Sequence, residues 1–157
     1  MIISKGNQLW RVLLTAVAMA LTLAGCQQLP PSPQDIEAKK FESIPGKAAI
    51  YVVRDPMSTG VGAPLWLDQG AQITMFEGNY YRWVVEPGSH TFAAIGVSTA
   101  SITIQAQAGK IYFVHYRVDG SVRVGLASSA LALMDDQAGR AAVMRAVLVL
   151  PVAPLMM

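Results

Sequence analysis

At 157 residues, 53% hydrophobic and 14% charged, the chain is long enough for one domain with a real buried core. Its net charge of +2 misleads, because Lys5 and Arg11 both precede Cys26 while every acidic residue follows it. The part after Cys26 is neutral on side-chain count. No basic patch is left to neutralise phosphates, which argues against a nucleic-acid partner.

In chain order, Met1 to Arg11 is short, polar and positively charged, and Val12 to Leu23 ("VLLTAVAMALTL") is uncharged and apolar. About 20 helical residues are needed to span a bilayer, so this run suits a signal-peptide core better than a permanent anchor. Leu23-Ala24-Gly25-Cys26 follows and resembles the bacterial lipobox, with a leucine three residues before the cysteine and two small residues just before it. In that motif the thiol is the nucleophile that accepts a diacylglyceryl group, and the peptidase needs small residues to fit the backbone. The resemblance implies cleavage before Cys26 and a lipid on its sulfur, with a further acyl chain (palmitate-type) on the new N-terminus. Each buried acyl CH₂ contributes about 0.8 kcal/mol, so two or three chains anchor permanently. Ordinary signal peptidase acting at Ala16-Val17-Ala18 or Ala18-Met19-Ala20, or an uncut anchor, are the other readings. Gln27 after the cysteine resembles the pattern sent to the outer membrane of Gram-negative cells.

Residues 26–46 combine the lipid attachment with four prolines and few large apolar side chains, and predict a stiff tether. Asp35 to Ser43 reads as linker, with a short helix as the alternative.

From Lys47 to Met157 the pattern changes to short runs of period two, punctuated by turn residues. "KAAIYVVR", "LWLDQGAQITMF" with a turn at Asp68-Gln69-Gly70, and "YYRWVVE" come first. Pro87-Gly88 then predicts a type II turn into an antiparallel "SHTFAAI". "TASITIQAQ" alternates, with Ala100, Ile102, Ile104 and Ala106 inward against Ser101, Thr103, Gln105 and Gln107. "IYFVHYR" follows Ala108-Gly109-Lys110, and Asp119-Gly120 predicts a tight turn into "SVRVGLA". Seven to eight such strands predict an all-β fold, an antiparallel β-sandwich. One short C-terminal helix is expected over 135–147, begun late or interrupted at Gly139. The apolar tail "LVLPVAPLMM" is either a last edge strand or an exposed docking segment.

Gly46-Lys47-Ala48-Ala49-Ile50-Tyr51-Val52, Pro87-Gly88-Ser89-His90 and Ala108-Gly109-Lys110-Ile111-Tyr112 occur in one order and at characteristic spacing. Over about residues 45–147 this resembles a family of small bacterial envelope lipoproteins classified as a domain of unknown function. That family carries a G-K-A-x-I-Y-V strand, a P-G-x-H hairpin and an A-G-K-x-Y strand. The P-G-x-H segment is also similar to the turn of PEGA-type surface β-domains. The resemblance implies a β-sandwich lipoprotein and no established activity. It also departs from the family pattern where Asp68-Gln69-Gly70 replaces Asp-Gly, so a longer turn is expected there.

Catalytic signals are sparse. His90 and His115 are the only conventional bases, each in an aromatic-rich strand where a structural role is the commoner one. A hydrolase would need a carboxylate and a nucleophile beside one of them. Asp55, Asp68 and Asp119 fall in predicted loops, yet no D-x-D-x-D-G loop supports calcium, and no metal set or cofactor is expected. Ser128-Ser129 lacks a nucleophile elbow, and Gly60-Val61-Gly62 leads into a strand instead of a helix, unlike a phosphate loop. Tyr51, Trp66, Tyr80, Tyr81, Trp83, Tyr112, Phe113 and Tyr116 are expected to pack the core, with an exposed glycan-binding or peptide-binding groove as the alternative. The sequence therefore predicts a non-enzymatic lipoprotein, anchored through Cys26 to the outer membrane and facing the periplasm. It would bind an unidentified envelope protein, with small-molecule or glycan binding as the second reading.

Overall fold

The computed structural model describes residues 30–56, 62–94, 100–120 and 127–150. The signal segment, Cys26 and the tail from Pro151 lie outside these residues. In chain order the elements are α1 (Pro33–Ala38), β1 (Ala48–Arg54), β2 (Ala63–Leu67), β3 (Ala71–Met75), β4 (Asn79–Val85) and β5 (Gly88–Ala94). They continue with β6 (Ala100–Ala106), β7 (Ile111–Asp119), β8 (Ser128–Met134), α2 (Asp136–Arg145) and β9 (Val147–Leu148).

Two sheets form, in the orders β8-β7-β1-β4-β9 and β3-β2-β5-β6. The described residues are thus mostly β and hold nine strands, where seven to eight were expected. The five-stranded sheet is mixed and not wholly antiparallel, since β1 runs parallel to β7 and β4 parallel to β9. The cause lies in the turns. Glu77-Gly78, Pro87-Gly88 and Ala108-Gly109-Lys110 each carry the chain from one sheet to the other. They are corners, with Gly78, Gly88 and Gly109 all at positive φ. Pro87-Gly88 therefore does not close a β4–β5 hairpin; β5 pairs with β2 and β6. Chain entering β7 from the other sheet runs in the same direction as β1, with Gly109 N–H donating to the Lys47 carbonyl at 2.7 Å.

Of the strand expected at 121–127, residues 121–126 lie outside the described residues and Ala127 is not in a strand. The partner that pairs with β7 is β8, whose Ser128 sits opposite Asp119. The Asp68 turn does close a hairpin. Asp68 and Gln69 both have positive φ, the geometry of a type I′ turn, and Gly70 N–H donates to the Leu67 carbonyl at 3.0 Å.

Between the sheets, Ile50, Val52, Leu65, Met75, Phe92, Val114 and Tyr116 are buried and form the main core. Tyr112 stitches the two sheets at one end, its hydroxyl donating to the Gln105 carbonyl and accepting from Gln107 N–H, both at 3.1 Å. The other face of the five-stranded sheet carries a second core of Ala49, Tyr51, Val53, Tyr80 and Phe113 under Ala38 of α1, Val143 of α2 and Ala146 just after it. Covered on both faces, β1 is buried along its whole length.

α1 arises inside the stretch expected to be a tether. Ser32 caps it by accepting from Asp35 N–H at 3.1 Å, and Pro33 occupies the first turn, where its missing N–H costs nothing. Asp35 is buried. Its carboxylate receives Lys39 Nζ at 2.9 Å and Leu148 N–H at 3.1 Å, while Lys39 also donates to the Ala146 carbonyl at 2.8 Å. Tyr51 Oη donates to the Ala38 carbonyl at 2.6 Å, so α1 is fastened to β1, α2 and β9 together.

α2 runs unbroken through Gly139, capped by Asp135 accepting from Ala138 N–H at 2.7 Å. Gly139 has a packing reason, because a Cβ there would lie 2.1 Å from Phe113 Cγ. The glycine lets the helix backbone rest on that ring.

Candidate interaction surfaces

His90 ends up structural. Its Nδ1 lies 2.6 Å from Asp68 Oδ2 and its Nε2 2.8 Å from the Glu86 carbonyl. A carboxylate and a carbonyl only accept hydrogen bonds, so both ring nitrogens must donate, which selects the imidazolium. Burial opposes that charge, but the bonds to Asp68 and Glu86 and the Asp68 charge outweigh it and raise the His90 pKa above its ordinary value. Asp68 responds in the opposite sense: burial pushes its pKa up, and the bonds from Thr91 N–H (2.8 Å) and His90 more than reverse this. The left-handed backbone of Asp68 is held by these contacts and by its own N–H, which donates to the Thr91 carbonyl at 2.9 Å. The hairpin tip and the β4–β5 corner are thereby locked together.

His115 lies on β7 with Ile111 and Phe113 on the helix-covered face. Its Nε2 is 3.2 Å from Asp55 Oδ2. It lines a groove of about 390 Å³ between α2 and the end of β1, together with Val53, Asp55, Met134, Ala142 and Arg145. Each histidine thus has a carboxylate, but no hydroxyl or thiol side chain lines this groove among the described residues. Asp55, Asp68 and Asp119 do not converge, and no group of three or more metal-ligating side chains occurs among the described residues. Ser129 is buried on β8. Gly60 and Val61 lie outside the described residues.

Most of the aromatic residues serve the cores. Tyr51, Tyr80, Phe113 and Tyr116 are at most 2% exposed, and Trp83 packs edge-on against Phe92 at 5.2 Å. Tyr80 and Tyr81 face opposite ways as strand geometry requires, yet neither is an exposed residue, because the five-stranded sheet is covered on both sides. Burial, then the bond to Asp35 and its charge, push the Tyr80 hydroxyl far above its ordinary pKa. Lys39, Arg82 and Arg140 sit over rings of the helix-side cluster, Arg140 at 4.8 Å from the Phe41 centroid.

Trp66 is the exception: it lies on the outer face of the four-stranded sheet. Phe76 lies on the same face, 49% exposed, and is an aromatic that strand alternation across the Met75–Glu77 boundary did not single out.

Among the described residues the two sheets end on β8 and β9 and on β3 and β6, and the margin of β4 is only partly covered by β9. β9 accompanies β4 only through Asn79 and Tyr80, and Val149 N–H donates to the Tyr80 carbonyl at 2.8 Å. Beyond this, among the described residues, nothing pairs with β4 from Arg82 to Val85 on the side away from β1. Val84 is exposed there, and Leu150 is exposed where β9 runs out. β6 ends the four-stranded sheet, with β8 of the other sheet close by.

No helix among the described residues is long and apolar enough to cross a membrane. No protein-family model matches the chain, and comparison with curated proteins finds no significant relative.

Proposed function

We propose that this chain is a non-enzymatic interaction module of the bacterial cell envelope. It would be lipid-anchored through Cys26 and would present its β-sandwich to a protein partner at the outer membrane, on the periplasmic side.

 The observation that carries this reading is the margin of β4 from Arg82 to Val85, which nothing among the described residues pairs with on the side away from β1, and beside which Val84 is exposed. An exposed strand edge offers a row of backbone donors and acceptors that an extended segment of another chain completes. The lipobox-like Leu23-Ala24-Gly25-Cys26 and the resemblance to small envelope lipoproteins support the location.

The test is crosslinking in intact cells, followed by identification of the protein captured from solubilised membranes. One dominant partner is expected with the native chain and is expected to be lost with Val84→Lys, which places a charge on the margin. Cys26→Ser is expected to abolish lipid labelling and release the protein from the membrane. A chain that captures nothing, or whose partner is indifferent both to Val84→Lys and to removal of residues 151–157, sinks the edge-pairing reading.

A further inference from the structure

The four-stranded sheet differs chemically from the rest of the molecule. Across β2, β3, β5 and β6 the one ionisable side chain is His90, and both its nitrogens are engaged by Asp68 and Glu86. The connecting residues 57–61 and 95–99 contain no charged residue either.

The outward positions follow from the strand pairing. Gln72, Trp66, Ala93 and Ser101 form one row across the sheet, Thr91 and Thr103 the next, and Ser89 and Gln105 the row after that. On the other side of Trp66 come Pro64 opposite Thr74, and then Phe76. The ring of Phe76 lies against Gly62, where any Cβ would stand about 3.0 Å from it. Glycine at that position leaves room for the ring to lie along the strand.

Small neighbours, Ala93 and Ser101, flank Trp66 on one side. The hydroxyls are already aligned: Thr91 Oγ1 and Thr103 Oγ1 are 2.9 Å apart, and Gln105 Nε2 donates to Ser89 Oγ at 3.2 Å. At a rise of about 3.3 Å per residue, the Trp66 and Phe76 rows are separated by about 13 Å, longer than one sugar ring.

We infer that this outer face, with Trp66 and Phe76 as stacking platforms and the Thr/Ser/Gln rows as hydrogen-bonding groups, binds an uncharged oligosaccharide of N-acetylated hexosamine units. An uncharged face offers a salt bridge to nothing, so a phosphate-rich or acidic ligand finds no counter-charge here, while a neutral polyol loses none. Ring C–H faces suit aromatic platforms, hydroxyls suit threonine and serine, and acetamido groups suit glutamine amides. This inference deepens the envelope reading by naming a glycan strand as a second partner, and it rests on that reading for where the glycan is met.

The full chain, held in detergent, is titrated with the β-1,4-linked tetramer of N-acetylglucosamine and followed by calorimetry and by Trp fluorescence. Saturable binding is expected, unchanged between low and high salt, and weakened about tenfold or more by Trp66→Ala. Thr103→Val, an exposed edge-strand change that leaves the cores alone, is expected to weaken it several-fold with an unchanged melting temperature. Absence of binding at millimolar sugar, binding that falls steeply with salt, or binding indifferent to both variants overturns the inference. So does self-association abolished by Trp66→Ala, which would assign the face to a second copy of the chain. The titration does not require the lipid, so failed lipid labelling at Cys26 would overturn the anchor while leaving the sugar result standing.

Discussion

At the scale of single residues, Gly139 and His90 do work that their residue types alone do not announce. Gly139→Ala gains roughly 1 kcal/mol of helix propensity, but its methyl would stand 2.1 Å from Phe113 Cγ. Overpacking of this kind costs about 1–3 kcal/mol, so the clash wins and the urea midpoint is expected to fall. For His90 the sign runs with its raised pKa. Its contribution is complete below the ordinary imidazole value of 6.5 and is lost as pH rises through the higher folded value. Asp68, held below its ordinary 3.8, contributes above that value and loses its contribution as pH falls through the lower folded one. Both therefore contribute together between about pH 4 and 6.5. With Asp68 45% exposed, solvent screening limits the pair to roughly 0.5–1 kcal/mol. An NMR titration should place the His90 midpoint above 6.5, and His90→Gln should flatten the loss of stability between pH 6 and 9. A midpoint at or below 6.5 would contradict the doubly donating imidazolium.

At the scale of elements, α1 shows why part of the fold was hidden in the sequence. Period-two alternation and turn residues were enough to predict most strands, and Ala100, Ile102, Ile104 and Ala106 do face inward as expected, Ala100 and Ile102 less deeply buried than the other two. Sheet membership was not legible, because a Pro-Gly corner between sheets and a Pro-Gly hairpin within one use the same residues. Proline density in 27–46 similarly masked the capping signal of Ser32, Pro33 and Asp35. The outer-face platform was half legible: Trp66 stood among eight candidate aromatics, but its separation from the seven that pack into the two cores depends on tertiary covering. The latch at Asp35 can be tested directly. Asp35→Ala leaves Lys39 and the Leu148 N–H without their carboxylate, at a cost of about 1–3 kcal/mol. Hydrogen exchange at Leu148 should accelerate well before global unfolding; unchanged protection would show that α1 and β9 are held by packing alone.

At the scale of the whole molecule, the second core makes the segment before β1 part of the folded unit. A chain shortened to begin at Lys47 loses Phe41, whose ring lies 5.5 Å from Tyr51 and 5.9 Å from Phe113, and loses Ala38 from above Tyr51. Uncovering that cluster should lower stability by about 3 kcal/mol, the burial value of one large side chain, and a denaturant titration measures it. The same feature sets a leash length. Were the fold to begin at Lys47, the 20 residues from 27 to 46 would reach at most about 70 Å from Cys26. With Ser32 capping α1, only residues 27–32 remain, and six residues reach at most about 20 Å. A lipid on Cys26 would then act as a short mooring line, keeping the start of α1 within about 20 Å of its anchor point at the membrane.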